Sequence, residues 1–180
     1  MGLIESYGSN RLTLQYFDED GAQTNNFQDY VLDETGQVVG IAALPDSTIL
    51  VSLWTYDYYS SSTAGGASIA HLDRNGNLLR QVNIDNQAYF TEIFVHSDGS
   101  ILLFGNSDGI YDYSTGVQTS QVVVNRIPDW TSDGEITTFG GDASGMRGVV
   151  SVDDDRYGIV GFTRSFGAGG SDATLIYYQP

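Results

Sequence analysis

Ile93-Phe94-Val95-His96-Ser97-Asp98-Gly99-Ser100-Ile101-Leu102-Leu103 is the stretch that decides the fold. Two apolar runs flank a polar turn, in which Asp98 can hydrogen-bond its own backbone and Gly99 can supply a positive φ. The segment therefore reads as a β-hairpin. The same form occurs at Ile41-Ala42-Ala43-Leu44-Pro45-Asp46-Ser47-Thr48-Ile49-Leu50-Val51. It returns at Val149-Val150-Ser151-Val152-Asp153-Asp154-Asp155-Arg156-Tyr157-Gly158-Ile159-Val160. The shared isoleucines Ile49, Ile101 and Ile159 lie 52 and 58 residues apart. A second marker keeps step: the turn dipeptides Asp20-Gly21, Asn75-Gly76 and Asp133-Gly134 are 55 and 58 residues apart. Two independent markers with one period of about 55 residues indicate a repeat architecture.

Within the middle period, Ser68 to Asp73, Asn77 to Ile84, Tyr89 to Val95 and Ser100 to Asn106 are short and β-branched or aromatic, with turn residues at their ends. No stretch keeps a 3.6-residue apolar period between helix caps. The sequence therefore predicts an all-β protein of about three four-stranded antiparallel meander repeats. One domain over 1–180 is expected, with repeats at 12–66, 67–121 and 122–172 and partial units at both ends. On this reading Leu12 to Phe17 opens the first repeat, Val122 to Ile127 the third, and Ala173 to Tyr178 a fourth.

Composition narrows the function. All 7 basic residues are arginine, against 23 acidic ones, and the formal charge is −16. Such a body repels phosphate backbones and anionic lipid, so neither is an expected partner. With no cysteine, disulfides, thiolate metal sites and thiol nucleophiles are excluded. No apolar run approaches the ~20 residues of a membrane helix, and membrane insertion is not expected. Met1 to Asn10 carries an acid and no apolar core, so it is not read as a signal peptide. The acidity suits solubility in salty surroundings. An extracellular or surface location within a larger protein or particle is expected, a virion included.

Alternating connections in a meander collect tight acidic turns at one end and longer loops at the other. The longer loops carry the aromatic residues Tyr7, Tyr56, Tyr58, Tyr59, Tyr111, Tyr113 and Phe166. Tyr56, Tyr58, Tyr59, Tyr111, Tyr113 and Phe166 are the candidate contact residues, for another protein chain, a copy of this one, or a surface glycan. The plainer reading is that these rings cap the repeat cores. Trp54 and Trp130 adjoin apolar strands and are read as core. Asp153, Asp154 and Asp155 are the best place for weak calcium binding, although an Asx-type turn explains the acidic turns without a metal.

Catalytic constellations are thin. His71 and His96 are the only histidines, each at a strand end beside a tight turn, and no nucleophile-elbow motif accompanies them. Glu92, inside a predicted strand, is the lone candidate for a raised-pKa carboxyl of the kind glycoside cleavage needs. No cofactor is implied.

Asp98-Gly99-Ser100-Ile101-Leu102-Leu103-Phe104-Gly105 resembles the turn-and-strand signature of bacterial delta-sixty-type and related β-propeller repeats. Gly169-Gly170-Ser171-Asp172-Ala173-Thr174-Leu175-Ile176 is similar to the first strand of those repeats, and Leu72-Asp73-Arg74-Asn75-Gly76-Asn77 to the turn after it. Thr138-Phe139-Gly140-Gly141 resembles a later segment. The resemblance implies a β-propeller-like architecture in secreted or surface proteins, with no shared catalytic residue, and a β-trefoil or β-prism is the alternative. Closed propellers take about four to eight blades, so the remainder is expected from a longer parent chain or from neighbouring copies. The expected function is a non-catalytic structural or recognition module in an extracellular or surface assembly. The alternative is a virion or appendage subunit assembling through open sheet edges, and a glycan-active enzyme ranks third.

Overall fold

The computed structural model describes residues 2–5, 11–15, 17, 20–23, 28–31, 36–55, 66–84, 88–107, 110–112, 117–128, 134–140, 144–164 and 170–180. Among them there are strands, turns and no helix. An N-terminal sheet pairs β1 (Gly2–Glu5), β2 (Arg11–Gln15) and β3 (Gln28–Val31) in that order. Sheet one is a four-stranded meander of β4 (Gly36–Ala43), β5 (Ile49–Thr55), β6 (Gly66–Leu72) and β7 (Leu78–Ile84). Sheet two contains β8 (Ala88–Val95) and β9 (Ile101–Ser107), and resumes after a small hairpin of β10 (Ile110–Asp112) and β11 (Val117–Thr119). Its outer strands are β12 (Val122–Ile127) and β13 (Glu135–Phe139). Sheet three has β14 (Gly145–Asp153), β15 (Arg156–Thr163) and β16 (Asp172–Tyr178). Every pairing among the described residues is antiparallel and none of these sheets closes into a barrel, an arrangement consistent with open propeller-like or repeat sheets.

Hydrogen bonding groups the strands differently from the repeats expected at 12–66, 67–121 and 122–172. Sheets one, two and three occupy 36–84, 88–139 and 145–178, so the expected boundaries at 66/67, 121/122 and 172/173 fall at the start of a third strand, and the expected start at 12 falls within β2. Val122 to Ile127 and Ala173 to Tyr178, expected to open repeats, lie in third strands. The link from sheet one to sheet two, residues 85–87, is as short as a hairpin turn. Links between second and third strands are the long ones, such as 56–65.

The first strands of sheets one, two and three carry an irregularity at the same place: Val38/Gly40, Phe90/Glu92 and Met146/Gly148. These bulges lie opposite Leu53, Gly105 and Gly161. A Cβ on Gly105 would run into the Tyr89 carbonyl, and one on Gly161 into the Gly145 carbonyl, so both positions require the missing side chain. The bulges fix the structural equivalence. Ile49 and Ile101 correspond to Tyr157, while Ile159 corresponds to Val51 and Leu103. All three isoleucines are buried on one face of their sheets, with Ile159 two residues further along its strand.

The sheets stack face to face. Leu50, Ile69 and Ile84 of sheet one share a core with Phe90, Ile101 and Leu103 of sheet two. Alternate residues of β9 point the other way: Leu102 and Phe104 join Val122 and Val124 against Met146, Tyr157 and Ile159 of sheet three. Strand β9 is thus buried on both faces, which is why it reads as an unbroken apolar run. Edge-on rings reinforce the second junction, with Phe94 centred 5.6 Å from Phe104 and 5.3 Å from Tyr157. Polar ties cross both junctions. Ser52 Oγ donates to the Phe90 carbonyl at 3.0 Å, and the Met146 N–H donates to Asn106 Oδ1 at 2.6 Å.

Candidate functional site

Three five-residue turns, 44–48, 73–77 and 96–100, share one geometry. In each, the first N–H donates to the last carbonyl and the fourth N–H returns to the first carbonyl. The fourth residue has positive φ: Ser47 at 68°, Gly76 at 87° and Gly99 at 85°. An aspartate carboxylate closes each loop. Asp46 Oδ1 accepts from the Thr48 N–H at 3.0 Å and hydroxyl at 2.6 Å, and Asp98 Oδ1 from those of Ser100 at 2.8 and 2.6 Å. Asp73 accepts the Asn75 and Asn77 N–H groups, both at 2.8 Å. These donors hold the carboxyls below the usual range: Thr48 for Asp46, Asn77 for Asp73, and Ser100 ahead of Arg126 for Asp98. All three therefore act as ionised turn closures.

The histidines belong to this framework. His71 Nε2 lies 2.8 Å from Thr48 Oγ1. The Thr48 proton is already given to Asp46, so His71 donates here and cannot act as a base toward that hydroxyl. Burial holds the His71 pKa below its ordinary value, ahead of the opposing pull of Asp46. In sheet two the equivalent third-strand residue is Arg126, which reaches Asp98 Oδ2 at 2.5 Å and Ser100 Oγ at 3.4 Å. An arginine filling the same place marks the role as structural. His96 ties sheet two to sheet three, 3.4 Å from Tyr157 Oη and 3.5 Å from Asp155 Oδ1. Tyr157 is held neutral by burial first and nearby acids second. Glu92 lies half-buried at the β8 bulge.

The calcium candidates do not converge. Asp153 faces Arg156, whose Nε donates to Oδ2 at 2.6 Å, and that bond is the main reason its carboxyl sits below the ordinary range. Asp155 accepts from Ser97 Oγ of the neighbouring sheet at 3.2 Å, and Asp154 is exposed in the turn. Among the described residues, no three His, Asp or Glu side chains gather as a metal site.

Tyr56, Tyr58, Tyr59, Tyr113 and Phe166 lie outside the described residues, as does Trp130. Tyr111 is in β10, with only its backbone described. The chain positions of the five tyrosines and Phe166 are equivalent: each falls between the second and third strands of its sheet, and not between one repeat and the next as the repeats expected at 12–66, 67–121 and 122–172 imply. Trp54 meets Tyr89 edge-on at 5.6 Å.

Two apolar features were missed by the sequence reading. One is a cleft of about 150 Å³ between sheets two and three, bordered by Val122, Phe139, Phe162, Thr174 and Ile176. The other is larger: the outer face of sheet three, where Val160 is 48% exposed, Leu175 57% and Tyr177 71%, beside exposed Val150 and Val152. Register puts them side by side, Val160 against Leu175 and Val150 against Gly158 and then Tyr177. The visible signal was β16 itself. Ala173-Thr174-Leu175-Ile176-Tyr177-Tyr178 is apolar on both faces, although only one of them is covered. Comparison with known protein families and with curated proteins finds no match.

Proposed function

We propose that the chain is a non-catalytic structural or recognition module of propeller type, working through protein contacts in an extracellular or surface assembly. The observation that carries this reading is the uncovered apolar face of sheet three, on a framework whose histidines and aspartates serve turns and sheet junctions. An exposed apolar patch of this kind characterises interaction surfaces. The resemblance of the Asp98 to Gly105 segment to secreted propeller repeats supports the same reading. A second reading, a virion or appendage subunit joined through sheet edges, is favoured by β16, which pairs only with β15 among the described residues.

Native mass spectrometry of the protein isolated from its source tests the proposal. The expected result is a fixed stoichiometry with other chains or with copies of itself, and no turnover of a glycan panel. A free monomer, or cleavage of any glycan, would contradict it.

A further inference from the structure

Sheet three repeats the surface chemistry of a buried junction without a partner to cover it. The bulge register makes Val160 the counterpart of Phe104, and Leu175 the counterpart of Val124. Phe104 and Val124 are fully buried against the next sheet, whereas Val160 and Leu175 face outward. The other exposed large apolar residues are scattered singly: Ile41, Leu79, Val95 and Ile136 on four different strands, and Phe17 outside any strand. Among the residues whose side chains are described, the one apolar face that a second copy could offer in return is therefore the same face.

Charge favours this end of the molecule. Residues 145–178 hold four acids (Asp153, Asp154, Asp155, Asp172) and three arginines (Arg147, Arg156, Arg164), a net charge of −1. The rest of the chain carries the remaining −15 of the total −16. Contact through sheet three keeps the strongly anionic parts of two copies furthest apart. Arg156 is neutralised within its own face by Asp153.

We propose that the outer face of sheet three binds the same face of a second copy of this chain, forming a two-fold sandwich centred on Val160 and Leu175. The proposal rests on the protein-contact reading above and names its partner. Two-fold pairing is the common closed symmetry for such a self-complementary surface. The attraction is apolar and the repulsion is electrostatic, so association strengthens as salt screens the charge.

Sedimentation of the purified full chain across concentration, at low and high salt, tests the proposal. A monomer–dimer equilibrium that shifts toward dimer with salt is expected. Leu175→Glu should weaken dimerisation about tenfold or more, because it would bury an unpaired charge. Leu79→Glu, on an exposed site of sheet one, should leave it unchanged. The chain has no cysteine, so Val160→Cys offers a unique nitroxide site. Faces of packed sheets lie about 10 Å apart, and the label's spectrum should broaden by dipolar coupling in the dimer. A chain that stays monomeric, a dimer insensitive to Leu175→Glu, or a dimer without broadening would overturn the proposal. A monomeric purified chain that still occurs natively in a fixed complex would remove this partner and leave the protein-contact module standing.

Discussion

Sheets two and three are built from the same bulge, the same close-approach glycine and the same second-strand alternation, yet they meet different surroundings. Sheet two is covered on both faces, and the side chains of Ile101, Leu102, Leu103 and Phe104 are all buried. Sheet three buries Tyr157 and Ile159 and leaves Val160 and Leu175 in solvent. The difference separates two roles that sequence alone merges. An apolar residue in a two-faced strand can hold the fold together or wait for a partner, and only its neighbours decide which.

The sharpest way to break this contrast is a pair of truncations at one structural position. Phe104→Ala should cost about 3–5 kcal/mol of unfolding free energy, through lost burial and the cavity left behind. Val160→Ala, measured in dilute monomer by denaturant unfolding, should stay within about 0.5 kcal/mol. Equal costs would mean that the outer face of sheet three is covered in the monomer.

A smaller effect sharpens the equivalence of the sheets. Ser47 holds the positive-φ place that glycine takes in the turns at Gly76 and Gly99. Ser47→Gly should stabilise the chain by about 0.5–1 kcal/mol, since an L-residue strains there and glycine does not. Thermal unfolding would show it, and a loss of stability would separate the first turn from the other two.

The smallest effect is on pH. Asp46, Asp73, Asp98 and Asp153 all titrate below their ordinary value in the fold. Their contribution is complete above the unfolded carboxylate pKa of about 4 and is lost as pH falls below that through the depressed folded values. Asp98→Asn should flatten the acid limb of the stability profile. An unchanged limb would show that the turn at 96–100 owes nothing to ionised Asp98.

The sequence reading reached the strands, the period and the turns because each has a local cause: β-branched runs, Asx closures and a residue of positive φ. It missed the phase of the sheets for a physical reason. A hairpin and a passage between stacked sheets can both be made by a few polar residues, as 73–77 and 85–87 show. It aligned Ile159 with Ile49 and Ile101 because Tyr157 and Gly158 stand where the other two strands begin with Ile49-Leu50 and Ile101-Leu102, so the aliphatic run of β15 starts two residues later. The outer face of sheet three stayed hidden because Leu175 and Tyr177 look like core residues until their exposure, 57% and 71%, is seen. The aromatic loops drew notice in the sequence as recurring contact loops, and the topology moves them from between repeats to between the second and third strands of each sheet.

The central claim is that sheet three presents an open apolar face that closes on a partner. Oxidative footprinting of tyrosines over a concentration series tests it most directly, because Tyr157 is 2% exposed and Tyr177 71%. In dilute solution Tyr177 should label rapidly while Tyr157 stays protected, and protection of Tyr177 should grow as the protein is concentrated. Tyr177 labelling at one unchanged rate across the series would contradict the claim, and so would protection of Tyr177 at every dilution.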